Sequence, residues 1–322
     1  MSLWILGIMA LVVIAFLAAG TGFAMFSRNV GAKVEEALPP AGRKTAVAGG
    51  EIHFVEAGEG QPIVMIHGLA GNLHNFTYAM TGALAKDYRV IALDRPGCGY
   101  STRENDDRAR LPQQAAMVAE FLEREGIENP LVVGHSLGGA LSLFLALNHP
   151  ERVGGLAMIA PLTAVQDDAP GAFDSLNIAN PGVRRLVAGT LAVPMTIRNG
   201  DKALGEVFGP EAAPEDFRTR GGSLLSLRPE AFYVAATDLH AVPPEMRQVQ
   251  ARYSELQHPL GMLYGDGDRI LHWKTHIAPI QAARPDLDLE VLEGVGHMPP
   301  ITQPERTEAF IRRMAERVFA AK

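Results

Sequence analysis

Leu131-Val132-Val133-Gly134-His135-Ser136-Leu137-Gly138-Gly139-Ala140-Leu141-Ser142-Leu143-Phe144-Leu145-Ala146-Leu147 is the stretch that decides the fold. Leu131-Val132-Val133 has the composition of a buried strand, and Ala140 to Leu147 continues as an apolar helix. Between them stands a G-x-S-x-G pentapeptide, Gly134 to Gly138. Its two glycines omit the Cβ atoms that would collide in so tight a turn. A strand-to-helix elbow of this kind lifts a serine hydroxyl to the carboxyl end of a parallel sheet. The pentapeptide is common by chance, and the bland alternative is a glycine-rich turn with an inert serine. The flanking strand and helix favour Ser136 as a nucleophile.

A hydroxyl is a poor nucleophile at neutral pH, so Ser136 requires a base, and the base requires an orienting acid. Leu287 to Leu292 alternates as a strand and runs into Glu293-Gly294-Val295-Gly296-His297, which places His297 at the strand's end as the base. Pro259 to Tyr264 reads as another buried strand, ending in Gly265-Asp266-Gly267-Asp268-Arg269-Ile270. Asp268, deeper in that loop, is the expected acid, and Asp266 is read as a turn residue. Asp167 and Asp168, after the strand-like Leu156 to Ala160, are a rival pair. The remaining histidines have blander readings. His135 is expected to face away from substrate and to pack or hydrogen-bond locally. His149, His258, His272 and His276 are expected in solvated or capping positions.

A tetrahedral intermediate carries negative charge on the former carbonyl oxygen, which two backbone N–H groups should already face. Leu137, at the positive end of the helix after Ser136, supplies one. The other is expected from Leu69, because Ile63 to Ile66 reads as an early strand and His67-Gly68-Leu69-Ala70-Gly71 follows it.

In this order, His67-Gly68-Leu69, Asp94-Arg95-Pro96-Gly97-Cys98-Gly99-Tyr100-Ser101, Gly134 to Gly139, Gly265 to Asp268 and Gly296-His297 resemble the α/β-hydrolase superfamily. The likeness is to its capped serine-hydrolase branch, which includes monoacylglycerol lipase-like esterases, carbon–carbon bond hydrolases and haloperoxidase-like esterases. It covers roughly Lys44 to the C-terminus. It implies an α/β fold with a mostly parallel eight-stranded sheet, helices on both faces and an inserted helical cap. Serine at the elbow argues against the branches that carry aspartate there. Cys98 departs mildly from relatives that carry His or Phe, and its place in a loop argues against a catalytic part.

The chain's 322 residues can hold one catalytic domain with a cap and an appendage, and 47% hydrophobic content is enough for a large core. A formal charge of −7, with no Lys/Arg cluster, argues against a nucleic-acid partner. One cysteine allows no intrachain disulfide. No metal-spaced His/Cys set and no phosphate-binding glycine loop occurs, so neither metal nor cofactor is expected.

Leu3 to Phe26 contains no charged residue. As a helix this run is about 36 Å long, against a hydrocarbon core of about 30 Å. It reads as a single-pass membrane anchor (residues 1–27). The alternative is a secretory signal peptide with Ala18-Ala19-Gly20 near a cleavage site. No Lys or Arg precedes the run, and it is longer than a signal peptide's apolar core, so the anchor is preferred. Arg28, Lys33, Arg43 and Lys44 all follow the span, which places the catalytic domain on the cytoplasmic side. Residues 28–43, with Pro39-Pro40, read as a linker.

Residues 44–161 and 258–322 form the expected hydrolase core. Thr45 to Ala48 and Glu51 to Ala57 flank Gly49-Gly50 as a hairpin. Phe76 to Lys86 is an expected helix, Tyr88 to Leu93 a buried strand, and Gln113 to Glu125 a helix. From 162 to 257 the rhythm breaks, prolines recur and apolar spacing turns helical. The resemblance makes this segment a cap over the site, and Phe173, Met195, Ile197, Phe208, Phe232 and Tyr233 suit a hydrophobic acyl or aromatic group, though for any single one of them packing the cap onto the main domain is the favoured reading. The leading expectation is a membrane-anchored serine hydrolase cleaving a lipophilic, small-molecule or lipid ester. Carbon–carbon hydrolysis or perhydrolysis by the same triad is the second, and a non-catalytic ligand receptor the third.

Overall fold

The computed structural model describes residues 3–165 and 171–320. Nine strands form one sheet: β1 (Arg43–Val47), β2 (Gly50–Ala57), β3 (Pro62–Ile66), β4 (Arg89–Leu93), β5 (Thr102–Arg103), β6 (Leu131–His135), β7 (Gly155–Ile159), β8 (Leu260–Gly265) and β9 (Asp288–Leu292). Their order is β1-β2-β4-β3-β6-β7-β8-β9, with the two-residue β5 paired to β2. The eight-stranded path matches the expected sheet, and β5 is an addition to it. From β4 to β9 along this path all neighbours are parallel, while β2 is antiparallel to β1, β4 and β5.

Eleven helices are described: α1 (Leu3–Ala37), α2 (His74–Thr77), α3 (Met80–Leu84), α4 (Leu111–Arg124), α5 (Leu137–Asn148), α6 (Pro181–Gly189), α7 (Ala192–Phe208), α8 (Pro229–Gln250), α9 (Trp273–Ala283), α10 (Pro299–Thr302) and α11 (Pro304–Phe319). The expected single helix from Phe76 to Lys86 is instead two short ones, α2 and α3, separated at Ala79 by a non-helical backbone (φ −142°, ψ −38°).

The central strands bury both faces, which is why they read as unbroken apolar runs. Ile63 and Met65 of β3 meet Phe76, Met80, Phe310 and Met314 on one face. Val64 and Ile66 point the other way, toward Val118, Phe121, Leu141 and Phe144. From β3 the chain moves to β4 on one side and later to β6 on the other. That reversal opens a crevice beyond the carboxyl ends of β3 and β6, where open α/β sheets bind ligands.

Between β7 and β8 lie α6, α7, α8 and 3₁₀ turns at Glu215–Arg218 and Ser223–Leu227. Asn180 starts α6, its side chain accepting from Gly182 and Val183 N–H (2.9 and 3.1 Å), with Pro181 at the first helical position. Helix α8 begins among these helices and ends in the main core, where Met246 and Val249 are buried.

Helix α1 corrects one boundary. Where a linker was expected from residue 28, the helix continues to Ala37 and stops just before Pro39-Pro40, which cannot extend it. Its last turns are supported by packing: Ser27, Gly31 and Val34 are buried. Ser27 Oγ donates to the Thr190 carbonyl at 2.9 Å, and Glu35 lies 3.4 Å from Arg228. The apolar part is long enough to cross a membrane, with mean hydropathy 2.4 and none of that window buried in the protein.

Candidate active site

Ser136 occupies the turn between β6 and α5 with φ 54° and ψ −120°, a conformation that side chains rarely adopt. The turn closes because of what its neighbours lack. A Cβ on Gly138 would lie 2.1 Å from the Ile66 carbonyl oxygen, and one on Gly68 would lie 2.9 Å from Ser136 Cβ. The β3 loop and the elbow therefore touch backbone to backbone.

His297, in the loop after β9, places Nε2 2.9 Å from Ser136 Oγ and Nδ1 2.7 Å from Asp268 Oδ2. All three side chains are buried. Asp268 Oδ1 accepts from the N–H groups of Ile270 and Leu271 at 2.8 and 2.9 Å. Burial alone would raise this carboxyl's pKa. The charge of His297 and the hydrogen bonds from His297, Leu271 and Ile270 outweigh it and hold the group below the usual carboxylate value. Asp266 instead accepts from the Gly294 N–H, bracing the loop. Asp167 and Asp168 lie outside the described residues.

Leu69 and Leu137 flank the serine from the two loops. The Leu137 N–H is first in α5 and has no intrahelical partner. The Gly68 carbonyl accepts from His67 Nδ1 (2.8 Å) and Arg95 Nη2 (3.3 Å). In a trans peptide the N–H points opposite to the carbonyl, so the Leu69 N–H is turned away from Arg95. Gly68, Leu69, Ser136 and His297 line one cavity of about 260 Å³. Its walls come largely from the β7–β8 insertion, including Phe173, Leu176, Met195, Leu204, Phe217 and Phe232. Of the aromatic and apolar residues expected there, Ile197, Tyr233 and Phe208 do not line it; Phe208 packs behind Phe217 and Met298, which do.

Several contributors were not foreseen. His135 Nε2 donates to the His297 carbonyl at 2.8 Å, with the rings 5.0 Å apart. It was expected to face away from substrate and to bond locally, yet it lines the cavity, and its bond ties the elbow to a loop 162 residues further on. His276 is buried, not solvated: its Nδ1 accepts from Ala164 N–H at 3.0 Å and faces Thr163 N–H at 3.3 Å. Arg95 Nη1 donates to Asp238 Oδ2 at 2.8 Å and to Gln114 at 3.0 Å, while Arg103 pairs with Asp238 Oδ1. Asp238, on α8, is fully buried and thus joins the insertion to the core through a guanidinium that also holds Gly68. Burial pushes the Cys98 thiol up to about 12, so it is a neutral thiol and no competing nucleophile.

Replacing Asp238 by Ala is expected to cost about 3–5 kcal/mol, because two arginines would be left as buried, uncompensated charges. Urea unfolding of the variant beside the parent checks this. An unchanged midpoint would mean that solvent reaches the guanidinium groups.

The chain belongs to the α/β-hydrolase fold family, whose pattern matches residues 61–304, and it is an enzyme of the hydrolase class. It is 30% identical over 281 residues to a 2-hydroxymuconate semialdehyde hydrolase of Pseudomonas putida, covering 85% of this chain and 92% of that one. A shorter match, 38% identical over 117 residues, is to the dihydrolipoyllysine-residue acetyltransferase component of the acetoin cleaving system of Cupriavidus necator. It covers 36% of this chain, which spans only 31% of that protein. Among solved structures, a bacterial membrane phospholipase A superposes with a TM-score of 0.68 at 23% identity, covering 99% of each chain.

Proposed function

We propose that this protein is a membrane-anchored serine hydrolase that cleaves a carboxylic ester of a lipophilic substrate. The observation that carries this reading is the unbroken relay Ser136–His297–Asp268 opening on an apolar cavity. Ser136 Oγ attacks the ester carbonyl while His297 Nε2 takes its proton. Asp268 stabilises the imidazolium, and the N–H groups of Leu69 and Leu137 receive the oxyanion. His297 returns the proton to the departing alkoxide, leaving an acyl-enzyme. Water, deprotonated by His297, then releases the carboxylic acid and regenerates Ser136.

Helix α1 is the proposed anchor. Arg28, Lys33, Arg43 and Lys44 after the apolar run support a catalytic domain on the cytoplasmic side. The β7–β8 insertion acts as the cap that shields the acyl-enzyme from bulk water.

The Pseudomonas putida relative favours a second reading, carbon–carbon hydrolysis by the same relay. A muconate carries a carboxylate, which needs a cation to receive it. Among the described residues two arginines line the cavity: Arg218, paired with Asp201, and Arg228, which bonds to Glu35 and the Gly99 carbonyl but keeps a buried Nε without a partner. The mostly apolar wall favours an uncharged acyl chain, while the unpartnered Arg228 Nε is the group that would receive a carboxylate.

The test is hydrolysis of p-nitrophenyl esters of increasing acyl length by the full chain in detergent, beside a vinylogous diketone acid. Release that grows with chain length supports the ester reading. A preference for the diketone by several orders of magnitude would replace it with the second.

A further inference from the structure

Among the described residues, every exposed large apolar side chain lies either on α1 or between Val183 and Ile197. The second group is Val183, Leu186, Leu191, Met195 and Ile197, on α6, α7 and the corner between them. Leu186 and Ile197 are 66% and 51% exposed, too bare for residues that pack a cap onto a core.

Their position relative to α1 gives the patch a partner. The last apolar residue before the first charge of α1, Arg28, is Phe26, and the residue after it, Ser27, is bonded to Thr190, between Leu186 and Leu191. If α1 spans a bilayer, the α6–α7 corner stands at the level where the helix leaves the hydrocarbon. The charge pattern agrees. Arg28, Arg198 and Lys202 are exposed nearby, and Asp201, the only acid from 181 to 202, is paired with Arg218. Apolar side chains rimmed by cations suit an interfacial surface on anionic lipid.

We propose that the α6–α7 face of the cap dips into the same leaflet that α1 enters, and that the lipophilic substrate reaches Ser136 from that leaflet past α7. Met195 links the two halves of this statement, being both exposed on the patch and part of the cavity wall. Thr196, Asn199 and Gly200 of α7 line the cavity beside it. An acyl chain passing there moves from bilayer to cavity without crossing bulk water. The occupant of the patch is therefore lipid. The inference rests on α1 being a membrane anchor.

The experiment places a nitroxide on Leu186→Cys in the full chain, reconstituted in phosphatidylcholine vesicles with a minority of phosphatidylglycerol. Phe16→Cys reports the anchor. Glu151→Cys, before β7 and so at the end of the sheet away from the cap, reports the aqueous side. Cys98, being buried, stays unlabelled. The expected result is that the Leu186 label, like that at Phe16, is relaxed by oxygen and shielded from a water-soluble nickel complex. A Leu186 label as aqueous as Glu151, with Phe16 in lipid, overturns the proposal and leaves the anchor standing. An aqueous label at Phe16 removes the anchor reading and the proposal with it. Spin–spin broadening at Leu186 that vanishes on dilution with unlabelled chain would assign the patch to a second copy and also overturns it.

A kinetic arm reads the substrate route. Leu186→Asp combined with Ile197→Asp is expected to lower hydrolysis of a long-chain ester in vesicles by about tenfold or more, with little change toward a water-soluble short ester. Equal loss on both substrates would mean that the patch serves folding instead.

Discussion

Ser136→Ala is expected to remove hydrolytic turnover by roughly 10⁴- to 10⁶-fold while leaving the fold in place. The substitution deletes one oxygen, and with it the only atom that His297 Nε2 meets in the relay. The elbow itself is held by other bonds: Ser136 N–H donates to the Ile159 carbonyl at 3.0 Å, and its carbonyl accepts from Gly139 and Leu162. Alanine keeps all of these. On the proposed mechanism, what remains is the catalysis due to binding and to the Leu69 and Leu137 N–H groups. Ester release and a thermal melt on the same preparation check both halves. Full activity in a folded variant would assign nucleophilic attack to another group.

The second large effect is acid unfolding. Burial holds His67 down to about 4, helped by the charge of Arg95, and lowers His276 to about 4. His135 is lowered to about 3 by burial and the charge of His297. In the unfolded chain each titrates near 6.5. Between these values the unfolded state binds protons that the folded state refuses, so stability is full above pH 6.5 and falls as pH falls. Each histidine contributes about 1.4 kcal/mol per pH unit, and three over two units sum to roughly 8 kcal/mol. That is comparable to the whole stability of an ordinary domain, about 5–15 kcal/mol. The fold is therefore expected to be lost near pH 4 to 5, with melting temperature dropping steadily from pH 6.5 downward. A melting temperature constant to pH 4 would mean that these rings are charged in the folded protein.

The difference between what the sequence discloses and what it hides is one of range. Ser136, His297 and Asp268 each follow an apolar strand at a glycine-marked turn, so local pattern places them at one end of the sheet. The choice of Asp268 over Asp266 was readable from loop position, and the geometry puts only the former against His297. Asp238 left no such trace. It sits in an unremarkable helical stretch, and its partner Arg95 is 143 residues away, so only the folded chain shows the pair. His276 misled for a related reason: its place near a helix start suggests solvent, but Thr163 and Ala164 close over it from β7's far end. The overlong α1 was hidden by the charges after Phe26. Composition there reads as linker, whereas Val34 and Gly31 find a packing surface on the cap.

The carboxylate of Asp238 has a mechanical consequence. Both of its oxygens are taken by core arginines, so lifting α8 away would strip two cations and one anion at once. A cap pinned in that way behaves as a fixed roof and not as a hinged lid. The pin reaches α6 as well, because Ala188 packs with Ala235 and Ala236, just before Asp238, and Arg185 donates to the Tyr233 hydroxyl of α8. One buried charge lock thus ties the roof of the cavity to the loop that carries Gly68.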